Sequence, residues 1–122
     1  MLPAASRLRD PELFRKATRH GRRTGSRTLV LHCLSPETDA DQSGVPTVSG
    51  PTQVGLVVSK AVGPAVTRNL VKRRIRSLVR EQHALLPATG VLVVRANPAA
   101  AEVSYAELAG DFTRCLQKVM TA

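Results

Sequence analysis

Aromatic residues are almost missing from this sequence: one tyrosine, two phenylalanines and no tryptophan among 122 residues. Any stacking on a base or a flat cofactor has to come from Phe14, Tyr105 or Phe112. Cysteine is just as scarce. Cys33 and Cys115 are too few for a secreted fold stapled by disulfides, and neither has a His or Cys neighbour at zinc-ligand spacing. Both read as small core residues. Hydrophobic runs are short: none approaches the roughly 20 apolar residues that cross a bilayer, and the stretch after Met1 lacks the apolar core of a secretory signal. The expectation is a soluble cytoplasmic protein with reduced thiols and no membrane contact. Acidic residues are few, nine against eighteen Lys and Arg, which leaves a formal net charge of +9. No paired carboxylates suit acid–base chemistry, no metal-ligand cluster appears, and Gly63-Pro64 reads as a turn, not a phosphate-cradling glycine loop.

What is present is an ordinary apolar fraction, 43%, and a charge that is far from evenly spread. A chain of this length forms one domain with one real core, so residues 1–122 are read as a single domain. Residues 1–34 hold eight basic and two acidic residues, residues 35–59 none and three, residues 60–80 seven and none, and residues 81–122 three and four. Positive charge therefore sits in two blocks, with an acidic segment between them and a nearly neutral C-terminal third. A small basic protein of this kind is expected to meet a polyanion, most simply nucleic acid.

The order of elements follows from periodicity and punctuation. Asp10 and Pro11 suit a helix start, Leu13, Phe14 and Ala17 make its apolar stripe, and Gly21 stops it. Residues 22–27 read as a basic connection. Strands are expected over 27–34, 53–60 and 90–96, the first placing Leu29, Leu31 and Cys33 on one face and Val30, His32 and Leu34 on the other. Residues 36–52, rich in Pro, Gly, Ser, Thr and Asp, read as a long mobile loop. The strongest helical signal runs from 65 to 86, with Leu70, Val71, Ile75, Leu78, Val79 and Leu85 on one side. Ser104 and Glu107 form a capping box for a last helix with Leu108, Phe112, Cys115, Leu116 and Val119 on its inner stripe. The fold class is α/β, an α+β sandwich-like arrangement of one mixed sheet with an N-terminal helix, a long basic crossover helix and a C-terminal helix.

Function concentrates on the 65–86 segment. Arg68, Lys72 and Arg76 fall at i, i+4, i+8, with Asn69, Arg73 and Arg80 in the adjacent stripe and Arg74 beside them. Like charges at this spacing disfavour an isolated helix, so the pattern is not there for helix stability. Arginine forks grip phosphates bidentately and lysine acts as a point charge. Taken alone, this face would suit a structural RNA-binding module as well as an enzyme subunit. His20 reads as a helix-end cap and His83 as solvated, while His32 either contacts RNA or packs as a neutral strand residue. Glu107 and Asp111 have sufficient structural roles in their helix.

The run Lys60-Ala61-Val62-Gly63-Pro64-Ala65-Val66-Thr67-Arg68-Asn69-Leu70-Val71-Lys72-Arg73 resembles the signature of the bacterial ribonuclease P protein subunit, in which a Ser-Lys strand end and a Gly-x-Ala-Val turn lead into an Arg-Asn-Arg-x-Lys-Arg helix. Glu12-Leu13-Phe14-Arg15-Lys16-Ala17 with His20-Gly21 is similar to the family's first helix. The resemblance covers nearly the whole chain apart from 36–52, where the loop is longer than usual for the family. It implies a subunit that assists a catalytic RNA in removing the 5′ leader from precursor tRNA. In that family the RNA performs the cleavage and mainly holds the Mg2+, so no catalytic residue and no protein metal site are implied here. The protein raises affinity for the functional metal ions. By resemblance, Arg68, Asn69, Lys72, Arg73, Arg74 and Arg76 face the RNA subunit, while Phe14, Arg15, His32, Val57, Ser59 and Lys60 line or flank the leader cleft. It also implies a left-handed crossover around the basic helix, as in the ribosomal-S5-domain-2-like fold, against the right-handed rule for parallel strands.

Four positions depart from the family pattern. Leu70 stands where the motif has Arg, and Arg74, one turn on, stands where the family has an aliphatic residue. Arg74 is therefore expected to supply the phosphate contact that position 70 lacks. Thr18 and His32 occupy positions that are often aromatic. Stacking on an aromatic is worth about 1–3 kcal/mol per base, so leader binding is expected to lean on charge and shape. A titration across leader sequences should show nearly uniform affinity; a strong base preference would contradict this.

Overall fold

Period-two alternation in three apolar segments, joined by one short basic segment, builds a four-stranded sheet. The computed structural model describes residues 8, 11–34, 52–82, 86 and 90–121. The strands are β1 (Arg22–Gly25), β2 (Leu29–Leu34), β3 (Gln53–Val57) and β4 (Val91–Ala96), in the order β1-β2-β4-β3. β2 pairs antiparallel with both β1 and β4, and β3 pairs parallel with β4. Helix α1 (Pro11–His20) precedes the sheet. A 3-10 turn (Lys60–Val62) and the basic helix α2 (Ala65–Glu81) connect β3 to β4, and a second 3-10 turn (Pro98–Ala101) leads into helix α3 (Tyr105–Thr121). The expected mixed sheet and three helices are all present.

The alternation sorts the core into two layers. Leu29, Leu31 and Cys33 of β2, with Val54, Leu92 and Val94, pack against Val71, Ile75, Leu78 and Val79 of α2 and Leu108, Phe112 and Leu116 of α3. Fully burying such side chains contributes about 1.5–3 kcal/mol each. On the opposite face Leu34, Val91 and Val93 meet Ala17, with Leu8, Leu13, Phe14 and Val57 around them. Both cysteines are buried and unpaired, as a core role requires, and burial pushes the Cys33 thiol above its usual value.

Local chemistry sets the element ends. The Gly21 N–H donates to the Ala17 carbonyl at 3.1 Å, and a Cβ on Gly21 would lie 2.5 Å from that oxygen and 2.7 Å from the Cys33 carbonyl oxygen. Only glycine fits there. Gly63, at φ 154°, turns the chain into Pro64 and α2, a conformation that L side chains rarely adopt. Ser104 Oγ accepts the Glu107 N–H at 3.2 Å, the expected cap. Asp10, His83, Leu85 and residues 36–51 of the expected loop lie outside the described residues.

Three expectations need correction. Residues 22–25 form a strand, not a connection. Arg-Arg-Thr-Gly carries no apolar alternation, and the ladder to β2 makes it a strand, closed by Ser26, whose N–H donates to the Leu29 carbonyl at 2.7 Å. Helix α2 ends at Glu81, five residues short of 86. Gln82 leaves the helix and its Oε1 accepts from Thr113 Oγ1 of α3 at 2.9 Å. β3 ends at Val57, and Lys60 opens the 3-10 turn instead of ending the strand.

Gly55 seats α1 on the sheet. A Cβ there would lie 2.7 Å from Phe14 Cε2 and 2.9 Å from Leu8 Cδ2. Both obstructing atoms are ends of side chains, so Gly55→Ala should fold but displace the Phe14 ring, at a cost of about 1–3 kcal/mol in urea unfolding. Ring-proton resonances of Phe14 that match those of the unsubstituted protein would refute this.

Candidate nucleic-acid interface

On α2, the inward stripe of Val71, Ile75, Leu78 and Val79 dictates what faces outward. Lys72, Arg73, Arg76 and Arg80, with Ser77, line one wall of a groove of about 540 Å³; Val54, Gly55, Leu56, Leu8 and Phe14 line the other. Glu81, the helix's one acid, is exposed at its last turn, and its Oε1 accepts from Ser77 Oγ at 3.5 Å. Arg68 and Asn69 stand nearer the N-terminal end. Arg68 Nε donates to the Gly63 carbonyl at 3.1 Å, and Asn69 is exposed. Arg74 sits on the other flank, its Nη1 donating to the Val103 carbonyl at 3.2 Å. Leu70, one turn earlier, is 40% exposed, and Val66 is 81% exposed. Leu70 therefore does not belong to the buried stripe.

A second hollow, of about 550 Å³, opens between α1 and the sheet. Leu8, Pro11, Phe14, Arg15 and Thr18 line it from the α1 side, and His32, Val57, Val93 and Arg95 from the strands. The structure thus brings together Phe14, Arg15, His32 and Val57. Ser59 and Lys60 are exposed beyond the end of β3 and do not line it. Val93 and Arg95 are lining residues not singled out from the sequence, while Arg80, read as part of the basic stripe, lines the groove. Arg95 carried a signal: it is the one charge in 91–96, and alternation puts it on the same face as Val91 and Val93. Leu8 and Phe14 line both hollows, so one apolar wall separates the basic groove from the cleft.

His32 is the most unusual polar group in the cleft. It is 7% exposed, and its Nδ1 has no hydrogen-bond partner among the described residues. It lies opposite Arg23 in the β1–β2 ladder. Burial first, then the guanidiniums of Arg23 and Arg95, hold its pKa below the usual 6.5, so the imidazole is neutral at pH 7. No group of three His, Cys, Asp or Glu side chains among the described residues is placed to hold a metal ion. No described helix is long and apolar enough to cross a membrane.

Fold and surface define a class, a small α+β protein that presents a basic groove on one helix beside a second hollow under α1. The family model for ribonuclease P matches residues 2–120. The ribonuclease P protein component of a Nocardioides species is 56% identical over 119 residues, covering 98% of this chain and 95% of that protein. Its counterpart from Streptomyces avermitilis is 48% identical over 120 residues, covering 98% and 96%. Among solved structures, the Staphylococcus aureus RNase P protein superposes with a TM-score of 0.77 at 21% identity, covering 93% of this chain and 94% of that one. The Thermotoga maritima RNase P protein gives 0.72 at 21%, covering 92% and 96%, a likeness of fold. The chain belongs to the ribonuclease P protein family, the protein subunits of the endoribonuclease that matures the 5′ end of tRNA. That enzyme is a metal-dependent ribonucleoprotein.

The His32 environment has a consequence for stability. Its folded pKa lies below 6.5, so the unfolded chain takes up a proton at higher pH than the folded one. His32 therefore costs nothing above 6.5, and stability falls as pH drops from there toward the folded pKa. In His32→Phe this part of the pH dependence should vanish. Urea midpoints that fall equally with pH in both proteins would contradict the assignment.

Proposed function

We propose that the chain serves ribonuclease P through two contacts. The outward side of α2 binds the RNA subunit through Arg68, Asn69, Lys72, Arg73, Arg74 and Arg76, with Arg80 extending the set. The cleft under α1 binds the single-stranded 5′ leader of precursor tRNA through Phe14, Arg15, His32 and Val57, with Ser59 and Lys60 at its outer end. The observation that carries this reading is the shared Leu8–Phe14 wall, which puts a basic groove and a strand-sized cleft side by side. A substrate strand in the cleft then lies next to the RNA on the helix.

The chemistry of each part fits its role. Guanidinium forks on one helix face match successive phosphates, and like charges there are relieved when the RNA arrives. Phe14 offers one stacking surface. Arg74 keeps further N–H donors beyond the one given to Val103, so it supplements the set from the flank that Leu70 shares. The RNA subunit cleaves the phosphodiester and holds most of the Mg2+, whose charge supports the reaction at the scissile phosphate. By holding both RNAs together the protein raises the affinity for those ions. Residues 1–122 act as one RNA-binding domain in the cytoplasm.

Cleavage of precursor tRNA at low Mg2+ is expected only when RNA and protein are both present. Cleavage by the protein alone, or no effect of adding it, would contradict the proposal. Binding to the RNA subunit should weaken steeply with salt. Lys72→Ala or Arg76→Ala should each reduce the slope by about one unit; an unchanged slope would remove that residue from the interface.

A further inference from the structure

We propose that Arg23, His32 and Arg95 form a phosphate-binding subsite for single-stranded RNA on the open face of the sheet, past the end of the cleft away from α2. The inference rests on the reading of the cleft as the leader site, and it names three groups on three strands that the motif on α2 does not involve.

The placement follows from register. Arg23 of β1 lies opposite His32 of β2, His32 lies opposite Val93 of β4, and Arg95, two residues on, lies opposite Val30. Directly opposed Cβ atoms on one face are about 4.5–5.5 Å apart and diagonal neighbours about 7–8 Å, so both guanidiniums reach the imidazole from opposite sides. Together with Thr18, Val30 and Asn97 the three residues line a hollow of about 400 Å³. It shares Thr18, His32 and Arg95 with the cleft and is continuous with it.

The charges in this hollow are uncompensated. Arg27 pairs with Glu107 and Arg114 with Asp111, but among the described residues neither Arg23 nor Arg95 has an acidic partner, and both are exposed. Between them lies an imidazole that is 7% exposed, with a bare Nδ1. Two unpaired cations on either side of a neutral imidazole, lining one hollow, form an arrangement that an anion completes. A phosphodiester oxygen can accept from both guanidinium forks while lying against the edge of the His32 ring, whose Nδ1 itself is enclosed. The strand that supplies it is the one in the cleft, because α2 packs on the opposite face of the sheet.

Two measurements test this. First, inorganic phosphate is titrated into the free protein with 15N-labelled histidine. His32 ring resonances should shift saturably in the unsubstituted protein and not in Arg23→Ala or Arg95→Ala, and Arg95→Lys should recover part of the shift. Resonances that do not move, or that move equally in the alanine variants, overturn the subsite. Second, the reconstituted holoenzyme is assayed for binding precursor tRNA and mature tRNA. Each alanine variant should lose about tenfold in affinity for the precursor and nothing for mature tRNA or for the RNA subunit. A loss of RNA-subunit affinity, or an equal loss for mature tRNA, overturns the assignment to the leader. If the unsubstituted holoenzyme binds precursor and mature tRNA alike, the leader reading itself fails, while the phosphate titration still decides the pocket.

Discussion

Strand β4 lies between β2 and β3 and is covered on both faces, so its side chains must be apolar in both directions. Val91, Leu92, Val93, Val94 and Ala96 meet that demand. The strand joins an antiparallel half of the sheet to a parallel half, and the parallel partner requires the long crossover that becomes α2. The requirement that β4 be buried on both faces thus fixes where the basic helix runs and leaves α1 to cover only part of the other face. Arg95 breaks the apolar run at the point where that cover ends, and that is where the cleft opens.

The same geometry separates two kinds of positive charge. On α2 the cations line a groove on one side of a helix whose other side is core, and no acidic residue interrupts them between 65 and 80. On the sheet, Arg23 and Arg95 flank a buried imidazole. Neither arrangement helps the free protein to fold, since like charges repel and a bare buried nitrogen is unfavourable. Both gain when a phosphate backbone arrives, the balance expected of a subunit that works inside a ribonucleoprotein. The apolar wall of Leu8 and Phe14, seated by the missing side chain of Gly55, keeps the two sites apart while leaving them adjacent.

Local signals were readable in the sequence, and pairing signals were not. The inner stripe of α3, the Val71, Ile75, Leu78 and Val79 part of that of α2, the Gly21 stop and the Ser104 cap are settled by neighbours a few residues away, and each stands as expected. β1 was not legible, because Arg-Arg-Thr-Gly becomes a strand only by pairing with a partner whose position depends on the hairpin. Periodicity carries α2 to 86, whereas the helix ends at Glu81, where Gln82 meets Thr113 of a helix distant in sequence. In the cleft, Phe14, Arg15, His32 and Val57 followed from likeness to a family, whereas Arg95 was visible only as a charge in an apolar strand. Its meaning needs the register against Val30 and the arginine across from His32. Periodicity puts Leu70 on the buried stripe, yet it is 40% exposed because that stripe starts at the next residue, Val71, about 100° further round the helix.

The central claim is that two faces of one small protein hold two different RNAs. Directed hydroxyl-radical cleavage tests it most directly, with an iron chelate tethered to Arg76→Cys on α2 or to Thr18→Cys in the cleft; the native thiols are both buried. In the holoenzyme with bound precursor tRNA, the probe at 76 should cut the RNA subunit and the probe at 18 should cut the 5′ leader. Cuts in the same strand from both positions, or no leader cuts from position 18, would contradict the account.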